Sequence, residues 1–327
     1  MGLPSPTIPG SATRVIISGH SEAGRVRKVN QDSFYAGEIP GKGYLALVAD
    51  GMGGHQTGEV ASQKAVEIVR RELEKSRALP PAAMARAVQV ANLEIYNYAS
   101  THPENHGMGT TLTAVFIDDQ VGLVGHVGDS RAYLIRDQEI RQLTNDHSWV
   151  AERVRQGLLT EDEAKRHRWR NVITNALGAL PHIKLDILHF TVHPEDRLLL
   201  CSDGISMLVP EEMMMRIVRD HPPTEAVTRL IAEANERGSP DNVTAVVLEV
   251  AALETRAKRY ALPPEVQEPA SVDLSESMSG IRRVEEAFPV QDMFAKMRKQ
   301  PWYPYRIWLL GSLYLILLFL LFSLWGR

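Results

Sequence analysis

The chain has 327 residues, 44% hydrophobic and 23% charged, which is enough ordinary globular sequence for a core that needs no covalent staple. A formal net charge of −4 excludes a general nucleic-acid binder, which would carry a basic face or stripe. The single cysteine, Cys201, excludes an intramolecular disulfide, and its place in the apolar run Leu198-Leu199-Leu200-Cys201 marks it as a buried, inert thiol.

In chain order, residues 1–12 read as a loose arm rich in Pro, Gly and Ser. No apolar signal-peptide core is present there, so the bulk of the protein is expected in the cytosol. Residues 13–250 form a mixed domain. Apolar, β-rich runs fall at 15–18, 44–49, 111–117, 121–127, 198–201 and 243–250. Helices are expected from the stripe Ala61, Ala65, Ile68, Val69 and Leu73, from Pro80-Pro81 to Ala99, after Pro210, and over 224–234. Paired helices lie between groups of strands, and short turns such as Asp118-Asp119 and Arg136-Asp137 suit antiparallel pairing.

Residues 251–301 mix Pro263-Pro264, serines and charges of both signs without a sustained apolar face, and read as a linker. Its end, 284–297, has the pattern of a short interfacial helix, interrupted by Pro289. Residues 302–325 read as a transmembrane anchor. Nineteen uncharged residues, 307–325, span roughly 28 Å as a helix, close to the hydrocarbon thickness of a bilayer. Trp302, Tyr303, Tyr305 and Trp308 sit at one end and Trp325 at the other. Lys296, Arg298, Lys299 and Arg306 precede the span, which leaves the N-terminal domain cytoplasmic.

The chemistry lies in five short segments: Arg27 to Asp32, Asp50-Gly51-Met52-Gly53-Gly54-His55, Gly128-Asp129-Ser130-Arg131, Ser202-Asp203-Gly204 and Pro240-Asp241-Asn242. Asp50, Asp129 and Asp203 directly follow apolar strands, where a side chain is held rigidly yet exposed. Several carboxylates converging on one cleft repel each other unless a cation neutralises them. With no cysteine pair and few histidines, an oxygen-rich Mg²⁺ or Mn²⁺ site fits better than zinc. Each segment alone is a weak signal, since Asp-Gly is commonly only a turn.

Taken together and in order, these segments resemble the PPM, or type 2C, family of metal-dependent protein phosphatases, particularly its bacterial branch. The resemblance runs over residues 13–250 and includes Gly24-x-Val26-Arg27-x-x-Asn30-Gln31-Asp32, Gly58-Glu59, Gly109-Thr110-Thr111, Asp146-His147-Ser148, Ala176-Leu177-Gly178 and Asp241-Asn242-Val243-Thr244. It implies an α+β fold, a four-layer αββα sandwich of two antiparallel sheets flanked by helices. It also implies hydrolysis of phosphoserine and phosphothreonine in proteins, opposing a serine/threonine kinase, with two Mn²⁺ or Mg²⁺ ions and a third, weaker one. By the same resemblance Asp50 bridges two metals and Gly51 offers its carbonyl. Asp203 and Asp241 hold the second metal, Asp32 is an outer carboxylate acting on the water, Arg27 grips the phosphate and Asp129 holds the additional ion. The stretch from Asp146 to about Asn171 corresponds to a flap beside the cleft. Two positions depart from the family pattern: Gln31 stands where many members have glutamate, and Met52 where several have a histidine considered a general acid. His55 is given no role. A catalytically silent phosphoprotein sensor is the competing reading; the joint presence of Arg27, Asp32, Asp50, Asp203 and Asp241 argues against it.

Overall fold

A computed structural model describes residues 13–54, 57–77, 80–253 and 270–274. The strands β1 (Arg14–Glu22), β2 (Asp32–Ile39) and β3 (Gly43–Met52) come first, then the helices α1 (Thr57–Lys75) and α2 (Pro80–Thr101). Five strands follow: β4 (Gly109–Thr110), β5 (Leu112–Asp118), β6 (Val121–Val127), β7 (Arg131–Arg136) and β8 (Glu139–Gln142). An excursion carries α3 (Trp149–Arg155) and α4 (Glu161–Arg166) before β9 (Ile183–Thr191) and β10 (Arg197–Cys201). The helices α5 (Asp203–Ser206), α6 (Glu211–Asp220) and α7 (Pro223–Glu236) lead to β11 (Val243–Ala252) and β12 (Ala270–Leu274).

The strands make two antiparallel sheets. One has the order β1-β11-β10-β7-β8; the other runs β12-β9-β6-β5-β3-β2, with β4 paired to β3. Their facing sides form one core, in which Val48, Val115, Val124 and Leu188 of one sheet meet Val15, Leu134, Leu198 and Val246 of the other. On the outer face of the five-stranded sheet, Leu199, Ala245 and Val247 pack against Met214 and Val218 of α6 and Val227, Leu230 and Ile231 of α7. The helices α1 and α2 cover the other sheet, α1 lying along β2 and β3 and α2 along β6 and β9. Gly125 on β6 makes room for this layer, since a Cβ there would be 2.8 Å from the Met84 Cγ of α2. The result is the expected α+β sandwich with helices on both outer faces.

The expected runs become strands and helices close to their predicted limits, but β1 extends to Glu22, and β2, β4, β7, β8 and β9 were not singled out in the sequence. Within the span read as a linker, Ala270–Leu274 forms β12, antiparallel to β9, with Ser271 opposite Asp186 and Leu274 opposite Ile183. Val272 and Leu274 are buried while Ser271 and Asp273 are exposed, the period of a half-buried edge strand, five residues being too few to stand out in a polar stretch. The predicted interfacial helix and transmembrane anchor lie outside the described residues. Among the described residues no helix is long and apolar enough to cross a membrane.

At the end of the sandwich away from the acidic segments, a buried ion pair clasps the two sheets. Arg136, closing β7, donates from Nε and Nη2 to the two Asp196 carboxylate oxygens at 2.7 Å each, and from Nη2 to the Thr191 carbonyl at the end of β9. The Asp196 carboxylate also accepts the His193 N–H at 2.7 Å and is 1% exposed. Removing one partner of such a pair strands a buried charge. Arg136→Ala is therefore expected to lower the unfolding free energy by about 3 kcal/mol in urea titration, while metal affinity at the far end stays unchanged.

Candidate metal centre

The acidic segments meet at the other end of the strands. Asp32 opens β2 and Asp50 lies near the end of β3, and the register makes them direct cross-strand partners. Asp129 follows β6, Asp203 begins α5 just after β10, and Asp241 stands two residues before β11. Ends of β2, β3 and β6 in one sheet and of the neighbouring β10 and β11 in the other thus deliver five carboxylates to the same end of the sandwich.

The positions are fixed by main-chain and hydroxyl hydrogen bonds. The Asp50 N–H donates to Thr111 Oγ1 at 2.8 Å, and the Asp50 carbonyl accepts from the Thr111 N–H and Thr110 Oγ1 at 2.9 Å each. Asp32, 7% exposed, accepts at Oδ2 from Thr244 Oγ1 at 2.6 Å and from Ser202 Oγ at 2.8 Å. Asn242 staples the loop carrying Arg27: its Nδ2 donates to the Ala23 and Val29 carbonyls and its Oδ1 accepts the Gln31 N–H. A side chain on Gly51 would run into the Gly58 and Gln31 carbonyls, so only glycine lets α1 begin this close to Asp50.

Burial and mutual repulsion push Asp32, Asp50, Asp129 and Asp203 up. Asp50 lies well above the usual carboxylate range through burial and then through Asp32, Asp203, Asp129 and Asp241. Burial first, then neighbouring aspartates, raises Asp203 to about 8 and Asp129 to about 7. Asp32 rises to about 6, burial outweighing the hydroxyls that stabilise its charge. Asp32 Oδ1 and Asp203 Oδ1 are buried acceptors with no donor, which is costly unless something positive meets them. Among the described residues no three acidic, imidazole or thiol side chains stand close enough together, as they lie, to hold a metal ion by themselves. A hard divalent cation suits this arrangement because carbonyls and water complete its shell. The donor set is all oxygen and acceptor-only, and it fits Mn²⁺ or Mg²⁺.

The remaining predicted residues divide. Gly51 sits on β3 with its N–H bound to the Gln31 carbonyl at 3.1 Å, beside the cluster. The Gln31 amide nitrogen lies against Gly58 at the start of α1. Met52 pairs with Gly109 on β4, and His55 lies outside the described residues. Arg27, expected on a phosphate, instead donates from Nη2 to Asp241 Oδ2 at 2.8 Å. Its side chain is 50% exposed, so the pair is screened by water and weak. Cys201 is fully buried and its thiol is pushed up to about 12, chiefly by burial, which leaves no thiolate for chemistry.

Sequence reasoning assigned no role to Ser202, Thr244 and Asn242, or to His147. The His147 Nδ1 accepts the Gly128 N–H at 3.1 Å, and its Nε2 lies 3.1 Å from Asp186 Oδ2, so it orients the chain just before Asp129. Arg131 forks onto Asp146 through Nε at 3.0 Å and Nη2 at 2.7 Å. The available signal was the hydroxyl or amide type directly beside each aspartate, which is read only once the strands are paired.

The comparisons with known proteins agree with this architecture. The protein phosphatase 2C family profile matches residues 20–246. The serine/threonine phosphatase Stp of Listeria innocua is 36% identical over 235 residues, covering 70% of this chain and 93% of that protein. PstP of Mycobacterium tuberculosis is 39% identical over 235 residues, covering 71% of this chain and 44% of that protein. The crystal structure of M. tuberculosis PstP matches with a TM-score of 0.67 at 36% identity, over 73% of this chain and 99% of that one. A structure of the PstP catalytic domain with two manganese ions matches with a TM-score of 0.66 at 35% identity, again over 73% and 99%. Fold and site thus define a metal-dependent phosphomonoester hydrolase. The chain belongs to the protein phosphatase 2C family and is a protein serine/threonine phosphatase.

The raised carboxyls set a pH dependence. Their folded pKa values exceed the unfolded ones, so between about pH 4 and 8 the stripped native state binds more protons than the unfolded chain and loses stability as pH rises. A cation replaces those protons and offsets the repulsion. The melting-temperature gap between Mn²⁺-loaded and EDTA-treated protein is therefore expected to widen from about pH 5.5 to about pH 8; a gap that narrows with pH would place the ion elsewhere.

Proposed function

We propose that this enzyme uses two manganese ions, with a third and weaker one at Asp129, to remove phosphate from serine and threonine of proteins at the cytoplasmic face of a membrane, opposing a serine/threonine kinase. The observation that carries the chemistry is the set of five converging aspartates with two buried, donorless oxygens. The ions supply a nucleophilic water at neutral pH and offset charge on the phosphate. By the family pattern Asp50 would be a shared ligand and Gly51 would offer its carbonyl, and Asp203 and Asp241 would hold the second ion.

Asp32 has one oxygen tied by Ser202 and Thr244. That leaves Oδ1 fixed in direction to accept a proton from the attacking water. Arg27 has a further part. Once Asp241 turns to a cation it no longer holds the guanidinium, whose planar fork is then available for two phosphate oxygens. Met52 has no proton to give the departing serine or threonine oxygen, so a water or another group must supply it. The buried, neutral Cys201 excludes a cysteinyl-phosphate route. Asp203→Asn is expected to lower Mn²⁺-dependent hydrolysis of a phosphothreonine peptide by roughly 100-fold. Above about pH 8 the stripped variant should melt no lower than the parent, because a carboxylate that repels its neighbours there has become a neutral amide. Near-normal turnover at limiting Mn²⁺ would overturn the ligand assignment.

The membrane location rests on the apolar stretch 307–325 with its aromatic and basic flanks. The full chain is expected to sediment with membranes and resist carbonate extraction, while a chain ending at Ser279, which keeps β12, is soluble and equally active on a small phosphopeptide. Full-length protein in the soluble fraction would dispose of the anchor.

A further inference from the structure

The excursion between β8 and β9 carries a cationic turn on an aromatic mount. Trp149 stacks on His167, with ring centroids 4.8 Å apart and planes 19° apart, and takes Trp169 edge-on at 4.6 Å. Arg153 lies over Trp149 at 5.1 Å and Arg168 over Trp169 at 4.6 Å. The turn itself is closed by the Arg170 N–H on the His167 carbonyl at 3.1 Å and the Val172 N–H on the Trp169 carbonyl at 3.0 Å. From it project Lys165, Arg166, Arg168 and Arg170, all exposed, around a Trp169 that is itself 40% exposed.

Exposed cations are usually a solvated face, and several in this fold are compensated locally. Arg70, Arg219, Arg229 and Arg237 are each paired with an acid one or four residues away. On the turn, only Lys165 has an acid nearby, Asp162 at 3.9 Å. Among the described residues Arg166, Arg168 and Arg170 have no carboxylate partner within ion-pair distance. Three uncompensated guanidiniums within five residues repel one another, and an anionic partner relieves that. An exposed indole between them adds a flat apolar contact of the kind that anchors interfaces.

The turn is also tied to the metal centre. The Trp149 N–H donates to the Val172 carbonyl, and the Thr174 N–H to the His147 carbonyl, both at 2.8 Å. Its base is therefore hydrogen-bonded to the segment that follows Asp146, whose charge is felt by Asp129. At its other end the excursion pairs with the strand beside Asp50: the Thr110 N–H donates to the Leu177 carbonyl at 3.1 Å, and Thr110 Oγ1 donates to the Asp50 carbonyl at 2.9 Å.

We propose that the turn 165–170, with Arg166, Arg168, Arg170 and Trp169, is a docking surface for acidic residues flanking the phosphorylated serine or threonine of a substrate, so that the enzyme prefers acid-flanked phosphosites. The proposal rests on the phosphatase reading and adds a substrate class to it. Guanidiniums fork onto carboxylates, and rim charges of this kind act on encounter and on substrate affinity more than on the chemical step.

The test uses the full-length chain in detergent with Mn²⁺, two phosphothreonine peptides that differ only in flanking Glu or Gln, and para-nitrophenyl phosphate. At low salt kcat/KM is expected to favour the Glu peptide by about tenfold, through KM, with the preference fading as ionic strength rises. In the triple variant R166A/R168A/R170A the preference collapses while turnover of para-nitrophenyl phosphate is unchanged. The single variant Arg168→Glu shifts the preference the same way and serves if the triple fails to fold. Equal kcat/KM for the two peptides with the parent chain, or a preference that survives both variants, overturns the proposal. A turn that instead faces anionic lipid would show as a Trp169 emission shift only in phosphatidylglycerol nanodiscs, with the peptide preference intact in the variants, and this too overturns it. Failure of the parent to hydrolyse para-nitrophenyl phosphate or either peptide would bring down the phosphatase reading first, and the docking proposal with it.

Discussion

The structure depends on holding like charges together. Asp32 and Asp50 are opposite one another across β2 and β3, the closest placement a sheet offers and one that disfavours two anions. Nothing in the core asks for this pairing. It persists because the surrounding sandwich is large and well packed, and because hydroxyls and main-chain N–H groups grip the aspartates from behind. Ser202 and Thr244, from the five-stranded sheet, reach Asp32 on the other sheet. The same bonds that orient the ligand therefore lock the two sheets in relative position. Repulsion at one end of the sandwich is set against the Arg136–Asp196 clasp at the other, and this polarity separates a strained reactive end from an end that serves stability.

Much of this was legible in the sequence, for a definite reason. Asp50, Asp129 and Asp203 each close an apolar run, so both the strand and its exposed end are visible without a partner. The helices α1, α2 and α7 show their buried stripe at helical spacing. What was not legible depends on pairing. Asp32 opens a strand whose sequence, Asp-Ser-Phe-Tyr-Ala-Gly-Glu-Ile, shows little alternation, and only its register with β3 brings it to Asp50. The Arg27–Asp241 contact joins residues 214 apart in sequence. Ser202, Thr244 and Asn242 look like ordinary polar neighbours until the loops fold over them. The resemblance to a family, rather than periodicity, gave each aspartate its role.

Asn242 shows how one amide organises the site. It binds three main-chain groups of the segment between β1 and β2, while the adjacent Asp241 faces the cluster. Ligand and loop are thereby set by consecutive residues entering β11, a central strand of its sheet and the least mobile kind of platform. His147 does the equivalent for Asp129 from the opposite side, with Asp186 behind it. The segments carrying Asp129 and Asp241 are thus each held by a side chain anchored elsewhere in the fold, which is how geometry is kept through turnover.

The strand β12 alters the geometry of attachment. Because Ala270–Leu274 is sewn to β9, the chain leaves the folded body from the edge of the seven-stranded sheet and not from the end of β11 on the other sheet. Were 307–325 to anchor the chain as proposed, the tether would be counted from Leu274 and not from Ala252, 22 residues earlier, and its greatest reach would be shorter by roughly 70 Å. A shorter tether would raise the enzyme's local concentration towards targets held in the same plane. Five residues at a sheet edge would then act as a spacer setting, and unpicking that strand would change which neighbours lie within range without touching a single catalytic group.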